Sequence, residues 1–137
     1  MDKNFKRDIR SLDGVFEFVE RFADTHGIDE ATSFSMKLAA EELFTNFVRH
    51  NTGGREHILI SLDVQDDRLI IQLKDFDVDA IDFEQETPPD VHLPLGERPV
   101  GGLGIHLVKS MFDSLTYNYT NRTLCVTAVK NLEDTHV

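Results

Sequence analysis

The chain is short of cysteine, short of positive charge and without a long apolar run. One cysteine, Cys125, occurs in 137 residues, so neither an intrachain disulfide nor a cysteine-based metal cluster can form. Cys125 lies among apolar residues and reads as a buried core thiol rather than a reactive one. Fourteen Lys and Arg stand against 25 Asp and Glu, a formal net charge of −11. A general nucleic-acid binder needs a basic footprint, and here the balance runs the other way. No apolar stretch is long enough to cross a bilayer and no signal peptide is visible, so a soluble, cytoplasmic protein without membrane contact is expected. There is no internal repeat. The length fits one domain over residues 1–137, with a core that needs no covalent staple.

Against these absences, the periodic patterns are clear. Residues 1–10 can form a short edge strand. Leu12, Val15, Phe16, Val19, Phe22 and Ala23 recur at helical spacing up to His26, and Gly27 is placed as a C-terminal cap. Asp29 is a good N-cap for a second helix from about Glu30 to Asn51, with Phe34, Leu38, Leu43, Phe47 and Val48 inward. Ile58, Ile60 and Leu62 alternate with polar residues, Gln65-Asp66-Asp67 supplies a turn, and Leu69–Leu73 makes a second strand ending at Lys74 and Asp75. All four prolines then fall between Phe76 and Val100, in an acidic stretch without periodicity. A loop of that length inside a small domain is uncommon and reads as a functional lid. Beyond it come a helix, a strand over Ser114–Thr120, a turn at Asn121-Arg122 and a last strand over Thr123–Val129. Segregated helices and mostly antiparallel strands predict an α+β two-layer sandwich, with helices covering one sheet face.

Three places can carry chemistry. Gly101, Gly102 and Gly104 open the helix containing Ile105, Leu107, Val108, Met111 and Phe112. Glycines at a helix start aim free N–H groups and the positive end of the helix dipole at one point, a recipe for holding phosphate. A flexible turn before a core helix gives the same pattern. On the second helix, Glu42 and Asn46 lie one turn apart, as do Asn46 and His50. A carboxylate beside an amide oxygen can position a nucleophile and orient a metal-bound water; equally, Glu41 and Glu42 can sit on a solvated face. Asp75, where the second hairpin strand stops, can accept from an exocyclic amine such as that of adenine, or serve as ordinary turn chemistry. Arg49, Arg98 and Lys109 are cations within sequence reach of the phosphate position.

The order and spacing of these features resemble the ATP-binding domain shared by histidine kinases, gyrase-type ATPases and bacterial anti-sigma factor serine kinases (the GHKL, or Bergerat, fold). The closest likeness is to the anti-sigma kinases. It rests on Ala-Ala-Glu-Glu-Leu-Phe-Thr-Asn-Phe-Val-Arg-His (39 to 50), on Asp75, and on Glu-Arg-Pro-Val-Gly-Gly-Leu-Gly-Ile-His-Leu-Val-Lys (97 to 109). The resemblance implies ATP and Mg²⁺ as cofactors, with Asn46 as metal ligand and Glu42 as the general base drawing a proton from a serine hydroxyl. It implies that Asp75 binds the adenine amine and that Gly101, Gly102, Leu103 and Gly104 give amides to the phosphates. Thr127 would contact the adenine side, and Arg49 and Arg98 would face phosphate. The implied partners are an anti-anti-sigma (STAS-domain) protein and a sigma factor, and relatives are commonly homodimers. The chain departs from the family at one point. The usual Asp-x-Gly is here Asp75-Phe76-Asp77, which would set a Cβ and a charge beside the base or the phosphates. Two functions are therefore consistent with the resemblance: a serine/threonine protein kinase acting on the STAS partner, or a catalytically weak or inactive module that sequesters a regulatory protein.

Overall fold

The computed structural model describes residues 1–51, 53–79 and 102–132. The chain forms β1 (Asp2–Lys6), a 3-10 turn (Ile9–Ser11), α1 (Leu12–His26), α2 (Glu30–His50), β2 (His57–Gln65), β3 (Arg68–Phe76), α3 (Gly102–Met111), β4 (Ser114–Thr120) and β5 (Thr123–Asn131). The strands make one antiparallel sheet in the order β1-β2-β3-β5-β4.

Strand alternation decides which sheet face is covered. Ile58, Ile60 and Leu62 of β2, Leu69, Ile71 and Leu73 of β3, and Leu124, Val126 and Ala128 of β5 are buried on a single face. Onto it α1 brings Val15, Phe18, Val19 and Phe22, and α2 brings Met36, Ala39, Ala40, Leu43, Phe44 and Phe47. Each large side chain taken fully out of water here contributes about 1.5–3 kcal/mol. The result is the expected α+β two-layer sandwich.

Local signals fix the joints. Gly27 takes the left-handed conformation (φ 64°) that ends α1, and Asp29 caps α2 by accepting from the Thr32 amide at 2.7 Å. Both two-residue hairpin turns have positive φ throughout: Asp66 and Asp67 at 50° and 64°, Asn121 and Arg122 at 53° and 60°. That backbone matches the twist of paired strands, and Asp and Asn tolerate it best.

Some expectations about facing are corrected. Phe34 is 66% exposed and Leu38 half-buried, because α2 packs through Met36, Ala39, Ala40 and Leu43. With Phe16, both line a groove on the outer surface between α1 and α2. Leu107 of α3 is exposed, whereas Val108 and Phe112 enter the core. Cys125 is half-buried, not buried; it lies on the sheet face away from the helices, in register with Lys74 and Asn118. Among the described residues no helix is long and apolar enough to cross a membrane. The lid expected over 76–100 is described only as far as Asp79; its remainder and the tail from residue 133 lie outside the described residues.

Candidate functional site

The strand that leaves the hairpin ends on a buried charge. Asp75 pairs across the sheet with Ile58 and Leu124, both core residues, so its side chain faces the helix layer. It is fully buried. A carboxylate there costs far more than an apolar side chain unless every oxygen has a donor. Both oxygens have one. Arg7 donates through a terminal guanidinium nitrogen to Oδ1, and Asn51 donates through Nδ2 to Oδ2 at 2.7 Å. Arg7 also donates from Nε to the Arg55 carbonyl at 2.9 Å and from its other terminal nitrogen to the Phe47 carbonyl at 3.5 Å. One guanidinium thus ties the last turn of α2 to the end of β3, and so joins the Asn46 segment to Asp75.

Glu42 and Asn46 follow on α2, one turn apart. Glu42 is half-buried, and its carboxyl is pushed above its ordinary value by that burial, then by neighbouring Glu41, with Arg49 partly offsetting both. Asn46 is buried, yet its amide nitrogen has no hydrogen-bond partner. A buried donor left unmade is expensive, so the carboxamide suits a ligand that completes it. Turned over, the same amide presents its oxygen to a cation. Among the described residues no three His, Cys, Asp or Glu gather into a metal cluster. A lone amide oxygen is a ligand of the kind Mg²⁺ accepts, since that ion characteristically takes one or two protein oxygens and fills its shell from phosphates and water. Arg49 is exposed on the same helix.

The glycine cluster opens α3, as expected: the helix begins at Gly102, includes Leu103 and Gly104 in its first turn, and lies against α2. The first amides of a helix have no intrahelical acceptor. Gly101 and Arg98 lie outside the described residues.

Thr127 is corrected. It pairs in register with Gln72 and Thr116 on the face of the sheet away from Asp75, and its hydroxyl accepts from the Gln72 amide at 3.1 Å. The strand offered no basis for choosing, since Leu124-Val126-Ala128 and Cys125-Thr127-Val129 are both apolar enough to face inward. Asp77 stands where the family has glycine. Its φ of 59° is the left-handed backbone that glycine favours, and its carboxylate turns to Arg55, whose Nε donates at 2.5 Å. That hydrogen bond holds the Asp77 carboxyl below its ordinary value. The backbone around it is fastened on both sides. Gly54 N–H donates to the Asp77 carbonyl at 2.7 Å, Val78 N–H to the Arg122 carbonyl at 3.0 Å, and Tyr119 Oη to the Val78 carbonyl at 2.6 Å.

Arg7 and Asn51 are the residues that sequence reasoning missed. Asn51 stood in a stretch read only as a helix stop. Arg7 is 68 positions from its partner and carries no local signal. The one available hint was Gly53-Gly54, two left-handed residues in succession, the second of which leaves room for the Arg7 guanidinium.

Helices layered on one face of an antiparallel sheet, with the buried polar side chains of Asn46 and Asp75 in the layer between, make an α+β sandwich. Residues 5–130 match the family model described as a histidine kinase-like ATPase domain, and the chain belongs to that family. No curated protein matches the sequence. A solved structure of the RsbU and RsbW domains of a Mycobacterium tuberculosis protein is similar, with a TM-score of 0.67, 11% identity, and coverage of 96% of this chain and 32% of that one. The histidine kinase domain of a blue-light activated histidine kinase from Erythrobacter litoralis is similar with a TM-score of 0.55, 15% identity, and coverage of 92% and 61%. The chain thus spans about a third and about three-fifths of these two proteins. At such identities the likeness establishes the fold.

Proposed function

We propose that the chain is an anti-sigma-factor-type serine/threonine protein kinase that binds Mg-ATP and phosphorylates a serine on an anti-anti-sigma (STAS-domain) partner. The observation that carries this reading is Glu42, half-buried and with a raised carboxyl, one turn before the uncompleted buried amide of Asn46. Phosphoryl transfer asks mainly for positioning and for spreading negative charge. Asn46 would hold the Mg²⁺ that, when bound, neutralises charge on the triphosphate. Glu42 would accept the proton of the attacking serine hydroxyl, and its burial makes it a stronger base than an exposed glutamate. Asp75 would receive the adenine amine. The amides of Gly101, Gly102, Leu103 and Gly104 would receive the phosphates, with Arg49 and Arg98 as facing cations. Thr127 has no part in this arrangement. The domain spans residues 1–137, works in the cytoplasm, switches between the STAS protein and a sigma factor, and forms a homodimer.

A second reading has an observation of its own. Asp75 already has a protein donor on each oxygen, which suits a weak or inactive module that sequesters a regulatory protein without catalysis. Calorimetry with Mg-ATP, followed by phosphate transfer from labelled ATP to the STAS protein encoded nearest to it, separates the two. Binding with transfer supports the kinase. Binding without transfer overturns it and leaves a nucleotide-sensing module, and no heat of binding leaves sequestration alone.

A further inference from the structure

Arg7 follows β1, which among the described residues is an edge strand paired only with β2. Its backbone N–H donates to the Glu56 carbonyl at 2.8 Å. Its side chain crosses over Gly54, where φ is 89° and any Cβ would collide with the guanidinium. The chain has therefore kept a passage open for this side chain. At its end lies Asp75, which has no exposed surface, while Arg7 keeps 16% of its side chain exposed. Asn51 is held differently. It is the C-cap of α2, its backbone N–H donating to the Phe47 carbonyl at 3.2 Å, which fixes its backbone beside Asp75.

We infer that Arg7 is a built-in competitor for the base-recognition carboxylate: its guanidinium occupies Asp75 in the nucleotide-free protein, and a base amine reaches Asp75 only when Arg7 withdraws. This rests on the nucleotide-binding reading given above. Asn51 stays and keeps the carboxylate oriented. Arg7 can leave because a guanidinium is weakly hydrated, already partly in contact with water, and carried on a flexible stem at a strand end. At Asp75 the exchange replaces one N–H donor by another and a cation by a neutral amine, and it also gives up the Arg7 bonds to the Arg55 and Phe47 carbonyls. Nucleotide affinity is thereby lowered, and by reciprocity bound nucleotide loosens the end of β1. The edge strand and the nucleotide become linked through one side chain.

The test compares Mg-ATP with Mg-inosine triphosphate, which carries an oxygen where adenine has its amine. With the full chain, Arg7→Gln should bind Mg-ATP about fivefold or more tightly than wild type by calorimetry, with no gain for inosine triphosphate. In the wild-type protein, Mg-ATP but not inosine triphosphate should speed hydrogen exchange at the Arg7 amide. The exchange measurement needs no variant and so stands even where Arg7→Gln fails to fold. A folded Arg7→Gln that binds ATP no more tightly, or an Arg7 amide whose exchange ATP leaves unchanged, overturns the competition while ATP binding itself survives. Absence of ATP binding in both proteins overturns the nucleotide reading, and this inference with it.

Discussion

The two ends of β3 are closed by different means. At the end near Arg68, the turn through Asp66 and Asp67 relies on backbone geometry, with the Leu132 amide donating to the Asp67 carbonyl at 2.7 Å. At the other end, charge does the work: Arg7 with Asp75, Arg55 with Asp77, and Arg122 with Asp79. A turn and a few amides suffice to finish a strand, so the second end carries more than folding requires. A buried ion pair is poor evidence for stability, since its desolvation offsets most of the attraction. Among the described residues such a buried pair stands at this end and not the other, and this is the end to which the proposed nucleotide site belongs.

Substitutions can sharpen or break this contrast. The largest expected effect is on chemistry. Glu42→Gln should lower kcat for phosphate transfer about 10²–10⁴-fold while ATP affinity stays near wild type. In the wild type the rate should fall as pH drops through the raised Glu42 carboxyl value, because the base must be unprotonated; the stability contribution runs oppositely. Burial disfavours the ionised form, so folding is helped while Glu42 holds its proton, and that help is lost as pH rises through the same range. Wild-type kcat in Glu42→Gln would end its role as base. Next comes stability: Asp75→Ala takes away the acceptor that Arg7 and Asn51 share and should cost about 2 kcal/mol in denaturant unfolding. A loss no larger than that from Asp67→Ala at the plain end would erase the distinction between the two ends. Asn46→Ala should weaken Mg-ATP about tenfold, equivalent to about 1.4 kcal/mol, and abolish the difference between ATP with and without Mg²⁺. Smallest is Asp77→Gly. It keeps the left-handed backbone and loses only an exposed pair, so ATP affinity should change by less than about twofold. A large gain would mean that the Asp77 side chain does obstruct the base.

What could be read in the sequence was whatever depends on neighbours along the chain. The span of α1 from Leu12 to His26, the caps at Gly27 and Asp29, and the two-residue turns at Asp66-Asp67 and Asn121-Arg122 all follow from local periodicity and backbone preference. So does the glycine-opened start of α3 at Gly102. Facing was harder where two stripes competed. On α2, Phe34 and Leu38 looked like the inner stripe, yet the sheet takes Ala39 and Ala40, whose small size lets the helix lie close. On β5, both alternating sets were plausible, and Thr127 fell to the wrong one. Glu42, Asn46 and Asp75 could be proposed from the sequence because each sits at a marked point of an element. What holds Asp75 could not. Arg7 and Asn51 reach it only after the sheet has brought residue 7 and residue 75 side by side, and no spacing rule encodes that.

Cys125 offers a practical handle. As the chain's single thiol, half-buried on the sheet face away from the described helices, it takes a maleimide dye or spin label at one defined point. Such a reporter sits across the sheet from Asp75 and Arg7. A signal change on adding nucleotide would then mean that the whole sheet has adjusted, whereas a change on raising protein concentration alone would report self-association through that face.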